Sequence, residues 1–139
     1  FMITIDAPLI HETGKKSRAE ARKRLNFNFH KSPQENIQRF INVLQPESIV
    51  EPHRHEHSFE VFIALKGKTE IITYRDDGSV KEKAVIDPTG EVAGVEIPAK
   101  IWHSLRALEN DSCVYIVMQG PYHPEGHKRF APWLKAKEQ

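Results

Sequence analysis

Glu51-Pro52-His53-Arg54-His55-Glu56-His57-Ser58-Phe59-Glu60 sets three histidines in alternation ahead of a carboxylate. On an extended strand His53 and His55 leave the same face about 6.6 Å apart at the backbone, and the length of two imidazoles brings both nitrogens to one point. The polar, turn-like Glu56-His57-Ser58 then lets the chain reverse. A second strand, Phe59-Glu60-Val61-Phe62-Ile63-Ala64-Leu65, ends at Gly67 and returns Glu60 to that face. His103 stands further on, in Ile97-Pro98-Ala99-Lys100-Ile101-Trp102-His103. Three imidazole nitrogens and one carboxylate oxygen, with positions left open, suit one divalent transition metal ion: iron, manganese, nickel, cobalt or zinc. The candidate metal ligands are therefore His53, His55, Glu60 and His103. His57 shares the alternation. It could replace Glu60 or another ligand if the strand runs on, or it lines the substrate pocket and orients a ligand by hydrogen bonding. Arg54 and Glu56 alternate to the other face and are not counted in the site.

A chain of 139 residues fits one domain, 1–139, with room for a core of its own and none for a second domain. Its 20 Lys and Arg balance 19 Asp and Glu, so no nucleic-acid partner is expected without a local basic patch. The densest basic run, Lys15 to Arg24, is broken by Glu20 and reads as a solvated helix face. The lone Cys113 lies in the apolar run Cys113-Val114-Tyr115-Ile116-Val117-Met118 and reads as core. It can form no internal disulfide, which fits a reducing compartment. No stretch approaches the roughly 20 apolar residues of a membrane span, and Phe1-Met2-Ile3-Thr4-Ile5 lacks the basic flank of a signal peptide. The expected location is cytoplasmic, with no membrane partner.

Residues 2–10 read as a short edge strand. Ser17-Arg18-Ala19-Glu20 has the form of a capping box, which predicts a short helix from there to about Leu25. Asn26-Phe27-Asn28-Phe29-His30 alternates and reads as a strand or extended loop. Strands are then expected at 37–44, 48–55, 59–65, 68–75, 80–86, 91–97, 102–109 and 112–119, with a hairpin at Asp76-Asp77-Gly78-Ser79. Many short strands between Gly, Pro and Asp breaks predict an all-β antiparallel sandwich or barrel, its core at about 37–119. The segment from Gly120 to Trp133 is too rich in proline for a strand interior and too aromatic for a free tail. It is expected to pack back over one mouth of the barrel, where it would bring Tyr122 or Lys128 to a pocket or form a clamp with Phe130 and Trp133. His11, His123 and His127 read as ordinary surface or hydrogen-bonded histidines, and Trp102 as core.

The ligand run resembles the cupin signature. Its first motif, G-x5-H-x-H-x3,4-E-x6-G, is matched by His53-x-His55-x4-Glu60-x6-Gly67, and its second, G-x5-P-x-G-x2-H-x3-N, in part by Pro98 and His103. Glu47, Lys100 and Ala107 stand where the signature has Gly, Gly and Asn. Over residues 17–134 the chain is similar to the WbuC family of cupin-fold metalloproteins, associated with bacterial surface-polysaccharide gene clusters. The matching text is Arg24-Leu25-Asn26-Phe27-Asn28-Phe29-His30, Gln38-Arg39-Phe40-Ile41-Asn42, Pro52-His53-Arg54-His55, Val95-Glu96-Ile97-Pro98, Trp102-His103, Gly120-Pro121-Tyr122 and Phe130-Ala131-Pro132-Trp133. The resemblance implies a single cupin domain, a double-stranded β-helix or jelly-roll barrel with a short N-terminal helix and an irregular C-terminal segment. It also implies a bound metal and a homodimer, for which residues 2–6 are the expected exchanged or interface element. It makes Asn28, Gln38 and Arg39 pocket residues for an oxygen-rich ligand, with Arg39 suited to clamp a carboxylate or phosphate. It makes His30 and Tyr122 the candidate proton-transfer groups.

Two function classes follow. As an enzyme, an isomerase, oxygenase or hydrolase, the chain would act on a small sugar-related molecule through its metal. As a binding module, it would hold a metabolite at the metal without turnover.

Overall fold

The structure is a computed structural model, and it describes residues 1–123 and 127–134. Among the described residues helix α1 (Ala7–Ala19) precedes ten strands: β1 (Arg24–Asn28), β2 (Ile37–Leu44), β3 (His53–Arg54), β4 (Glu60–Lys66), β5 (Thr69–Tyr74), β6 (Val80–Ile86), β7 (Gly94–Ile97), β8 (Trp102–Ala107), β9 (Ser112–Gln119) and β10 (Arg129–Phe130). They form two five-stranded antiparallel sheets, ordered β1-β2-β9-β4-β7 and β10-β3-β8-β5-β6. Apart from the hairpin pairs β1-β2 and β5-β6, chain neighbours alternate between the sheets, which is the jelly-roll connectivity that the cupin resemblance implies. No helix among the described residues is long and apolar enough to cross a membrane.

Period-two alternation turns one face of each strand inward. Phe40, Leu44, Phe62, Ile71, Ile86, Leu105, Val114, Ile116 and Met118 fill the space between the sheets. On the outer face of the first sheet Ile41, Val43 and Cys113 meet Leu9 and Ile10 of α1. Burial pushes the Cys113 thiol up to about 12, in keeping with a core cysteine.

The N-terminal expectations are corrected. Residues 2–6 form no strand, and the helix ends where one was expected to begin. Asp6 caps α1 by accepting from the Leu9 amide at 3.0 Å, with Pro8 in the first turn. Ser17 is buried and donates back to the Gly14 carbonyl at 2.7 Å, while Glu20 closes the helix. Gly14 sits mid-helix because Asp111 crowds it: a Cβ there would lie 3.0 Å from the carboxylate oxygen. Asp111 in turn takes Arg18 at 2.6 Å and Gln45 at 2.6 Å, and so ties α1 to the barrel.

The strand expected at 48–55 shrinks to His53–Arg54, and Ile49 is exposed in the connection before it. The Asp76–Ser79 hairpin joins β5 to β6 with Gly78 at φ +90. The C-terminal segment does return to the barrel. Arg129 and Phe130 pair with Arg54 and His53, Ala131 is buried, and the Trp133 ring packs 5.5 Å from Trp102 and 5.9 Å from Tyr74. Trp133 makes this clamp without Phe130, which is 53% exposed.

Candidate metal centre

Strand pairing assembles the cluster. His53 on β3 lies directly opposite His103 on β8, and Glu60 opens β4 opposite both Ile97 and Met118. His55 follows β3 by one residue, held where its carbonyl accepts from the Lys100 amide at 2.8 Å. One ligand atom from each of His53, His55, Glu60 and His103 lies within 4.8 Å of all the others, and all four residues are at least nine-tenths buried.

The main chain decides which nitrogens face inward. Nδ1 of His53 donates to the Glu51 carbonyl at 2.7 Å, Nδ1 of His103 to Ile101 at 2.8 Å, and Nδ1 of His55 to His127 at 2.6 Å. A carbonyl only accepts, so each ring keeps its proton on Nδ1 and turns its Nε2 lone pair to the centre. Glu60 Oε1 is 3.0 Å from His103 Nε2 and 3.1 Å from His55 Nε2. The second approach is close without being aligned, and His55 Nε2 is a buried nitrogen with no hydrogen-bond partner. Four buried electron pairs aimed at one point repel unless a cation sits among them. The donor set and the orphaned nitrogen fit a divalent metal ion.

Electrostatics agree. Burial first, then His103 and Lys128, pushes His53 down to about 2, so its ring stays neutral and available as a ligand. Burial opposes the charge on Glu60, but the His103 and His55 rings beside it, on which a proton can take the place of a metal ion, outweigh it and hold the carboxyl well below its ordinary value. For His55 burial lowers the value and Glu60 more than restores it.

A cleft of about 290 Å³ opens beside the centre, lined by Asn26, Asn28, His30, Gln38, Tyr122 and His127 among others. It thus gathers four of the residues expected at a pocket: Asn28, His30, Gln38 and Tyr122. The His30 Nδ1 is engaged by the Arg39 main chain at 3.0 Å, which leaves Nε2 free. Gln38 is buried and its amide is spent on the Pro33 and Glu35 carbonyls. Three expected residues lie elsewhere. Arg39 is on the outer face of β2, where it reaches the Ile37 carbonyl and lies 3.6 Å from Glu35. His57 is exposed, beyond the turn, and borders a separate hollow with His55, Ser58 and His123. Lys128 borders a groove with Arg54, Trp102 and Phe130. Arg54 lies outside the centre, 2.8 Å from Glu56 and 4.3 Å from the Trp102 ring.

The residue that sequence reasoning passed over is His127. Its carbonyl fixes His55, its ring lies 4.8 Å from the His55 ring and 4.5 Å from Tyr122, and burial lowers it to about 4. A backbone carbonyl leaves no side-chain signature, so only the aromatic density of the segment hinted at it.

A family model described as a domain of unknown function (DUF6016) matches residues 5–86, more than half of the chain. The chain belongs to that family. No curated protein matches the sequence. Among solved structures, this DUF6016 chain is similar to KdgF from Halomonas sp. at 19% identity and a TM-score of 0.60, covering 76% of this chain and 86% of that one. It is similar to the capsular polysaccharide assembling protein CapF from Staphylococcus aureus at 20% identity and 0.61, covering 77% of this chain and 32% of CapF. It is also similar to an oxalate decarboxylase from Lactobacillus farciminis, solved as a formate complex, at 16% identity and 0.57, covering 81% and 32%. The chain therefore spans about a third of the length of the last two. These likenesses show the fold, which is the cupin jelly roll expected from the motif.

Proposed function

We propose that this chain is a metal-dependent cupin acting on a small, oxygen-rich, sugar-related molecule. The observation that carries the reading is the buried convergence of three Nε2 lone pairs and the Glu60 carboxylate beside a cleft that sets Asn26, Asn28 and His30 in a partly apolar wall. His53, His55, Glu60 and His103 would hold the metal, which supplies Lewis-acid polarisation of an oxygen donor when bound. Asn26 and Asn28 offer amide donors and acceptors to hydroxyl groups, and Phe40 and Met118 form the apolar part of the wall. His30 Nε2 and the Tyr122 hydroxyl are the groups placed to move a proton. The resemblance to the WbuC family and the fold likeness to a capsular polysaccharide assembling protein support a place in surface-polysaccharide metabolism.

The cleft has no carboxylate among its described lining residues, which favours a second reading: a module that binds a metabolite at the metal and does not turn it over. Elemental analysis of protein purified without an affinity metal tests the shared part. Near-stoichiometric metal should be present in the wild type and lost from His53→Ala and His103→Ala. Protein that stays metal-free after reconstitution sinks both readings. If metal is found, His30→Ala and Tyr122→Phe separate them, because only an enzyme loses turnover while its ligand affinity stays within a few-fold.

A further inference from the structure

Three histidines outside the ligand set meet at one hollow. It measures about 240 Å³, and His57, His123 and His127 line it together with the candidate ligand His55. Its walls are the 55–58 connection on one side and the segment after β9 on the other, and two hydrogen bonds hold them together. The Ser58 hydroxyl donates to the Gln119 carbonyl at 3.0 Å, and His55 Nδ1 to the His127 carbonyl at 2.6 Å. The His127 amide in turn donates to the His123 carbonyl at 2.8 Å, which ties those two residues to each other.

Exposure falls along this set. His57 and His123 are exposed, His127 is half-buried, and His55 is 5% exposed. The His127 ring lies 4.8 Å from that of His55, whose Nε2 is the buried nitrogen without a hydrogen-bond partner. The described lining of the cleft with Asn26 and Asn28 includes none of the four candidate ligands, whereas the hollow reaches one. Charge favours the same side. The formal charge in the described lining of the hollow is the Glu56 carboxylate, which a hydrogen bond from Arg54 holds below its ordinary value. The groove that Lys128 borders carries Arg54, Lys128 and Arg129 against Asp76, a surplus of positive charge that disfavours a cation. A divalent ion reaching a buried centre must lose its water, and a charge stripped of water without replacement donors is costly. Neutral imidazoles are donors to the metals that three nitrogens and a carboxylate suit. Imidazoles of rising burial let waters be exchanged for nitrogens one at a time.

We infer that this hollow is the entry path of the metal ion: His57 and His123 take the hydrated cation at the mouth, and His127 passes it inward to His55. The three are transient donors on a route and not ligands of the filled centre. The inference rests on the proposed metal centre and adds to it how that centre is loaded.

Stopped-flow uptake of cobalt(II) by metal-free full-length protein, followed by its visible absorption, tests the path. The double variant His57→Ala/His123→Ala should take up cobalt at least about ten-fold more slowly than the wild type. Both side chains are exposed, so the fold should survive their loss, whereas His127 also fixes His55 and is left in place. The ion leaves by the path it enters, so release to excess chelator should slow by the same factor. Stoichiometry should stay at one ion per chain and affinity within a few-fold. His11→Ala, which removes an exposed histidine of α1 away from the hollow, should load at the wild-type rate. Unchanged uptake in the double variant, or equally slow uptake in His11→Ala, overturns the inference. So does a loss of affinity with release unchanged or faster, since that is the signature of equilibrium ligands. A wild type that binds no cobalt removes the metal-centred reading and the path with it, whereas a wild type and a double variant that fill equally fast remove the path alone.

Discussion

Lys100 occupies a position that the second cupin motif gives to glycine, and its φ of +69 is the left-handed conformation that glycine adopts freely. The conformation is imposed by the turn that presents its amide to the His55 carbonyl. A side chain there costs about 1–2 kcal/mol, and glycine returns part of that as unfolded-chain entropy. Lys100→Gly should therefore stabilise the protein by about 0.5–1 kcal/mol in a denaturant melt. The histidines set a pH dependence for the metal-free protein. His53 titrates near 2 in the fold against an ordinary 6.5, so below pH 6.5 the unfolded chain takes up a proton that the folded chain refuses. Stability then falls as pH drops from 6.5 towards 2, by up to ~1.4 kcal/mol per unit from this group. His127 adds in the same direction and His55, which is raised, opposes. Chelated protein should melt at a lower temperature at pH 5 than at pH 7, and His53→Gln should flatten that difference. At this scale the ligands were legible because their spacing is local: two residues on one strand and a third across a short turn. The hydrogen-bond acceptors that aim them are carbonyls of Glu51, Ile101 and His127, and no residue identity reports those.

Among the elements, legibility followed burial. β2 and β9 begin and end where their hydrophobic runs do, whereas the mostly exposed β6 is placed by the hairpin that precedes it. β3 is two residues long because its geometry answers to the histidines rather than to a long pairing partner, and it meets β8 in a single residue pair. The helix was misplaced because two of its signals carry other duties. Gly14, which reads as a break, is a close-approach residue for Asp111. Ser17, which reads as a cap, is a buried hydroxyl bonded to the preceding turn. The true cap is Asp6, and Asp6→Ala should cost about 1 kcal/mol in thermal stability. The metal content of that variant should not change, since α1 lies on the outside of the first sheet. Loss of metal from it would show that the helix reaches the centre.

For the whole molecule, the C-terminal return joins a clamp to the centre. Trp133 packs on Trp102 and Tyr74 and covers Gly78, β10 pairs with His53 itself, and His127 orients His55. Trp133→Ala should destabilise the fold by roughly 2–3 kcal/mol, somewhat under the cost for a fully buried ring. It should also speed loss of metal to a chelator, because β10, which follows His127 and pairs with His53, loses its anchor. A variant that melts early but keeps its metal as firmly as the wild type would separate clamp from centre. The composition of this segment announced that it docks, whereas where it docks depends on a two-residue strand pairing that no periodicity encodes.

The alternation of β1 separates two tasks on a single strand. Leu25 and Phe27 face outward, with the Phe27 ring 5.5 Å from Phe29, while Asn26 and Asn28 line the cleft and hold no part of the apolar core. Exchanging the cleft residues for others of similar size should change stability by no more than about 0.5 kcal/mol, as at solvent-exposed sites. Under the proposed function, ligand preference is free to diverge at alternate positions of one five-residue strand while the architecture stays fixed, and the same alternation offers an engineer a place to rewrite specificity without rebuilding the barrel.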